Sequence, residues 1–189
     1  MSSSGWFLTA GVILSLLLTG FSCVRDESET MQAVGGKPAS SGQGKALEVK
    51  WLDFNDGLAK ARTEKKPIFV EFYADWCVYC KMFQRETIND PSVARMLSEN
   101  FAYVRLNAED SDKRVRFNGQ TLSNVELTGS FGITAFPSLV FLDSAGQPIT
   151  TLSGFLPARQ FSAVLGYIHQ GCYQTQISMQ EFARKGNCD

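Results

Sequence analysis

Ile68-Phe69-Val70-Glu71-Phe72-Tyr73 is a run of β-branched and aromatic residues holding a single carboxyl. After Ala74-Asp75-Trp76 it is followed by Cys77-Val78-Tyr79-Cys80. A strand this apolar on both faces needs cover from both sides, the situation of a central strand in a layered sheet. The residues from Cys77 open a helix predicted to run to about Thr87. Two cysteines thus stand where a buried strand hands over to a helix, and this junction constrains the chain more than any other feature.

With five cysteines in 189 residues, chance alone would supply roughly 0.1 Cys-x-x-Cys pairs, so the spacing gains its meaning from this context. Helix N-terminal N–H groups and the macrodipole stabilise a thiolate, which lowers the pKa of the first cysteine and makes Cys77 the attacking sulfur. Cys80, one turn further in, can attack a mixed disulfide formed at Cys77 and release the product. The alternatives are a structural disulfide or half of a zinc site. Zinc wants four ligands, and only Cys172, Cys188 and His169 remain, without a second close pair.

The flanking segments extend the layered pattern. Leu47 to Trp51 alternates apolar and polar residues and predicts a short half-buried strand. Asp53 to Lys65 carries Phe54, Leu58 and Ala61 at helical spacing and stops before Pro67. Asn89-Asp90-Pro91 offers a cap and a first-turn proline for a helix over Ser92 to Asn100. Phe101 to Asn107 reads as a second buried strand. Asp110 to Gln120 is polar and holds an Asn118-Gly119 turn signal. Ser123 with Glu126 is a capping-box pattern for a helix to Ser130. Strands are predicted at Ser138 to Asp143 and Ile149 to Ser153, then a closing helix over Pro157 to Gln170. Strands and helices in this interleaved order argue for an α/β sheet with helical layers.

The ends of the chain differ in character. Trp6 to Ser22 is uncharged for 17 residues, short for a membrane span of about 20 apolar residues, and suited to the hydrophobic part of an export signal. Thr19-Gly20-Phe21-Ser22-Cys23 resembles a bacterial lipoprotein signal, in which the cysteine is lipidated and becomes the new N-terminus. An uncleaved anchor and ordinary cleavage after Ser22 are the alternatives. Lipidation at Cys23 also leaves an even set of four cysteines, and export places them where disulfides persist. Residues 23–46 are rich in Ser, Gly, Glu and Gln and read as a tether. Lys+Arg 18 against Asp+Glu 19 offers no cationic excess for a phosphate backbone, which argues against nucleic acid as a partner.

Phe72 to Lys81 is similar to the active-site segment of the thioredoxin superfamily, and Gly132-Ile133-Thr134-Ala135-Phe136-Pro137-Ser138 resembles its cis-proline loop. The likeness covers residues 47–170, with both motifs in the expected order. Ala74 to Cys80 with Asn89-Asp90-Pro91-Ser92-Val93 is especially similar to the C-terminal periplasmic domain of the disulfide reductases called DsbD. Arg116-Phe117-Asn118-Gly119, Leu127 to Gly132 and the closing helix look more like the SoxW group. The resemblance implies a thioredoxin fold: a central mixed β-sheet flanked by helices, here with a short C-terminal extension over residues 171–189.

The resemblance also implies site roles. Glu71 occupies the place of a buried acid that relays a proton for the resolving cysteine; a glutamate on an edge strand facing water is the alternative. A buried carboxyl needs a task or a partner, and desolvation should raise its pKa. Arg105 stands where a lysine lies near that acid, and an arginine could tune Glu71 but not shuttle its proton. Pro137 would follow Phe136 through a cis peptide and offer a backbone edge beside Cys77 to an extended substrate. Trp76 either faces substrate or packs.

In the tail, Ser178 and Glu181 suggest a capped helix, and Cys172 and Cys188 most simply pair as a structural disulfide. A second redox pair or an intermolecular bond is the sharper alternative. The leading functional expectation is an exported thiol–disulfide oxidoreductase, a reductase of protein or small-molecule disulfides in the bacterial periplasm. It would be tethered through Cys23 and supplied by a membrane electron donor of the disulfide-reductase type, with no cofactor and no metal. A binding or metal-delivery module without turnover, and a disulfide oxidase, are the competing readings. Val78-Tyr79 lacks the histidine of the strongly oxidising members, which favours the reductase.

Overall fold

The computed structural model describes residues 49–189; the signal-like stretch, Cys23 and the tether lie outside the described residues. Strand β1 (Ile68–Tyr73) runs through the middle of a four-stranded sheet. It pairs in parallel with β2 (Ala102–Asn107) and antiparallel with β5 (Ser138–Leu142), and β6 (Pro148–Ser153) adds to β5. The sheet is therefore mixed, in the order β2-β1-β5-β6.

Alternation along β1 feeds two cores. Ile68, Val70 and Phe72 face one layer, with Phe54, Leu58 and Ala61 of α1 (Phe54–Glu64) and Leu127 of α4 (Asn124–Ser130). Phe69 faces the other, with Phe83 of α2 (Val78–Phe83), Leu97 of α3 (Pro91–Asn100), and Phe161 and Leu165 of α5 (Ala158–His169). Six phenylalanines (Phe69, Phe72, Phe83, Phe101, Phe141 and Phe161) are fully buried, each worth on the order of 2 kcal/mol of transfer free energy. Glu71 shares its face with Phe69.

Caps fix the element starts. Asp90 accepts N–H bonds from Ser92 and Val93 ahead of Pro91, and Ser123 with Glu126 forms a complete capping box. α2 passes directly into a π-helical turn, Gln84–Ile88.

The sequence expectations need two corrections. Of the strand expected over residues 47–51, the described residues 49–51 form no ladder, and the pairing there is a single bridge, Leu52 to Val104, with the Leu52 N–H donating to the Tyr103 carbonyl at 3.1 Å. α1 starts immediately afterwards, the Asp53 carbonyl accepting the Gly57 N–H at 2.9 Å, so the chain turns away before a ladder can form. Trp51 packs on Tyr103 and Phe69 instead. The polar stretch after Asp110 folds into a hairpin, β3 (Arg114–Phe117) and β4 (Gln120–Ser123). Asn118 and Gly119 both have positive φ, 48° and 78°, as a tight two-residue turn requires. Asn55 of α1 clips this hairpin, donating to the Arg116 carbonyl at 2.8 Å and accepting its N–H at 3.0 Å.

The tail forms a 3₁₀ turn, Cys172–Gln174, and α6 (Met179–Lys185), whose Phe182 packs edge-on against Tyr167 of α5.

α1 lies so close to β2 that a Cβ on Gly57 would run into Cγ2 of Val104. Gly57→Ala is therefore expected to lower stability by about 1–3 kcal/mol in a urea titration. The lowering should occur although alanine is the better helix former by roughly 1 kcal/mol. Adding Val104→Ala should return part of the loss; a stabilised Gly57→Ala would mean that α1 has room to move outward.

Candidate active site

Past the C-terminal end of β1 the chain turns through Ala74-Asp75-Trp76, and the Cys77 N–H donates to the Ala74 carbonyl at 3.0 Å. Cys77 is the N-cap of α2, its Sγ accepting the N–H of Cys80 at 3.0 Å. Cys77 and Cys80 are joined in a disulfide, S–S 2.12 Å and Cα–Cα 5.3 Å. Both are buried, at 3% and 1% exposure, while their neighbours Trp76, Val78 and Tyr79 are 65%, 73% and 61% exposed. The cysteines are thus covered, while the side chains next to them in sequence stand out into solvent.

Trp76 is fixed as well as exposed. Its indole Nε1 donates to Glu109 Oε2 at 2.9 Å, and its ring meets Phe136 edge-on at 6.0 Å between centroids. Asn107 braces the same loop: its amide donates to Asp75 Oδ2 at 3.2 Å and its Oδ1 accepts the Glu109 N–H at 3.0 Å. Phe136 also packs against the Ala74, Cys77 and Cys80 cluster. The Phe136–Pro137 peptide is cis, and Pro137 is buried just before Ser138, which pairs with Phe72.

Glu71 has no exposed surface, so the water-facing edge-strand alternative does not describe it. Its Oε2 accepts from Arg105 Nε at 3.1 Å and from Gln84 Nε2, while Oε1 is buried without a partner. Burial disfavours the charged form more than Arg105 and Gln84 favour it, and the carboxyl is pushed up to about 7. Arg105 lies opposite Glu71 on β2 and stacks over the Tyr73 ring at 3.8 Å, a cation held between a carboxyl and an aromatic face.

Cys172 and Cys188 form a second disulfide, Cα–Cα 5.3 Å. The turn that begins with Cys172 follows α5 and shares a cavity with Pro67, the residue ahead of β1. Cys77 lies beyond the other end of that six-residue strand, about 20 Å away at the usual rise. The structure does not bring the tail pair to the first. Among the described residues, no three His, Cys, Asp or Glu side chains gather as metal ligands.

Two contributors escaped the sequence reading, Gln84 and Glu109. Gln84 carried a signal, since it stands four residues after Cys80 and so on the same helix face. Glu109 reaches Trp76 only through loop closure, which no spacing announces.

The family model described as a thioredoxin-like domain matches residues 54–169. The chain is 32% identical over 130 residues to a thiol:disulfide interchange protein DsbD from Vibrio vulnificus, covering 65% of this chain and 20% of that protein. It is 31% identical over 121 residues to the protein of that name from Escherichia coli, covering 62% and 19%. The chain thus spans about a fifth of the length of these relatives. Among solved structures, a thioredoxin-fold protein from Helicobacter pylori superposes with a TM-score of 0.53 at 25% identity, covering 65% of this chain and 80% of that one.

The raised Glu71 pKa fixes how stability should depend on pH. Between 4.5, the ordinary value, and about 7, the unfolded chain has lost this proton while the folded one keeps it. Unfolding then releases a proton, so stability contributed at low pH is lost as pH rises through that window. Relative to the parent, Glu71→Gln should gain about 3 kcal/mol between pH 4.5 and pH 7. Denaturant titrations of both proteins across the window check this. A constant difference would show that the carboxyl ionises normally in the fold.

Proposed function

The chain belongs to the thioredoxin-like family of thiol–disulfide oxidoreductases, and from that premise we propose that it is a reductase of protein or small-molecule disulfides, exported to the bacterial periplasm. The observation that carries this reading is the Cys77–Cys80 disulfide at the start of α2, with the Cys80 N–H directed at Cys77 Sγ. That N–H stabilises negative charge on the first sulfur and not on the second.

In the reduced protein, the Cys77 thiolate attacks one sulfur of the substrate disulfide. A Cys77–substrate disulfide forms and the other substrate sulfur leaves as a thiolate, which takes a proton from solvent. Glu71 then accepts the Cys80 thiol proton, and the Cys80 thiolate attacks Cys77 Sγ. The Cys77–Cys80 bond forms, the remaining substrate thiolate departs, and two electrons have passed to the substrate. Return to the dithiol needs a thiol donor, for which a membrane disulfide-reductase partner fits. Trp76 and Phe136 supply an apolar wall, and the backbone beside Pro137 a hydrogen-bonding edge, for an extended segment carrying the disulfide. Cys172–Cys188 serves as a structural staple for the tail, and a lipidated Cys23 as the membrane tether.

The reductase direction draws on the Val78-Tyr79 dipeptide and on the likeness to proteins named for disulfide interchange. Cys77 is expected to alkylate faster than Cys80 at pH 7, with an apparent pKa well below the free-thiol value of about 8.5. Alkylation rate against pH on the reduced protein tests the assignment, and a faster Cys80 would reverse it. Cys80→Ser should accumulate mixed disulfides with substrates in the cell envelope. A reduction potential near that of a strong oxidase would instead favour the opposite direction of electron flow.

A further inference from the structure

We propose that Gln84 is a positioning residue for proton transfer at Cys80, tethering Glu71 Oε2 so that Oε1 stays bare to receive the cysteine's proton. The inference rests on the reading of Glu71 as the proton acceptor, and deepens it.

The geometry begins with the helix. The Gln84 N–H donates to the Cys80 carbonyl, so the two residues are one turn apart and their side chains share a face of α2. From that face the Gln84 amide reaches Glu71 on the strand beneath, so the carboxyl lies under the side of the helix that also carries Cys80. The amide and the Arg105 guanidinium converge on one oxygen, and Oε1 has no partner although it is wholly buried. A buried acceptor left bare is costly unless something uses it. Turning the carboxylate to cover Oε1 would break both bonds on Oε2. Arg105 is itself held by the Tyr73 ring, so Gln84 is the freer of the two donors.

Few charged groups compete around this carboxyl. From β2 it is faced by Arg105, from β5 by apolar Leu139, and from the helical segment above by the amide of Gln84, while Phe69 and Tyr73 share its face of β1. Lys81 and Arg85, which flank Gln84 on the same helical segment, are exposed. The proton step balances within this cluster: the Cys80 S–H bond breaks, an O–H bond forms at Oε1, and the sulfur keeps the electron pair with which it attacks Cys77. Gln84 loses and gains nothing. By donating to the charged form it keeps part of the Glu71 population ionised near neutrality, where burial alone would protonate it.

The reduced protein is mixed in a stopped-flow instrument with a symmetric aromatic disulfide that releases one coloured thiolate on attack and a second on resolution. Gln84→Leu should move the pH midpoint of the second phase upward by about one unit, slowing it up to about ten-fold below the midpoint, with the first phase unchanged. Gln84→Lys, a charged donor in the same place, should move the midpoint downward. Neither shift should persist when Glu71→Gln is added. A purely structural role would slow both phases without moving a midpoint. If Glu71→Gln slows resolution by about ten-fold or more but neither Gln84 variant shifts the midpoint, the inference fails and the proton-acceptor reading stands. If Glu71→Gln leaves resolution unchanged, both are overturned.

Discussion

Burial of β1 on both faces sets the terms for everything else in this chain. Helices α2, α3 and α5 cover one side, and α1, α4 and the β3–β4 hairpin cover the other. A strand so enclosed must be apolar, and five of its six residues comply. The sixth, Glu71, cannot reach solvent. The same packing that holds the sheet together therefore suspends a carboxyl near neutrality under the redox helix. Stability and proton chemistry have one cause here, and a substitution that loosens the layer above β1 would alter both.

The competition at Glu71 shows which effect wins. An arginine nitrogen 3.1 Å from a carboxylate would ordinarily hold its pKa low. Arg105 is about a quarter exposed, however, and lies against Tyr73, so water and an aromatic face share its charge. Glu71 has no exposed surface at all. Desolvation acts on the carboxyl in full while the attraction is diluted, and the net shift is upward. Arg105 thus moderates the proton affinity without supplying or removing a proton.

Much of this was legible in the residues. The apolar run identified β1 and its double cover, the Cys-x-x-Cys pair marked the start of α2, and Ser123 with Glu126 announced α4. The mixed sheet flanked by helices followed from the resemblance, and the structure has it. The β3–β4 hairpin was hidden because Arg114 and Arg116 make its exterior as polar as a loop, although Val115 and Phe117 alternate with them. Leu47 to Trp51 misled in the opposite sense, since alternation over so few residues does not tell a ladder from a single bridge. Gln84 looked like one more polar residue on a helix. The spacing from Cys80 set its helix face, but its partner on β1 emerged only when strand and helix were stacked.

The short pairing of Leu52 with Val104 carries a different kind of consequence. β2 forms one margin of the sheet, and its outward N–H and C=O groups are those on which a foreign strand could align. Leu52 already occupies a rung in the middle of that margin. At the opposite margin β6 opens with Pro148, which has no N–H to offer. Among the described residues, each border of the sheet is thus blunted in part by a single residue. Trp76, Val78 and Tyr79 leave an exposed apolar surface beside the cysteine pair, while the sheet itself resists growing onto other strands.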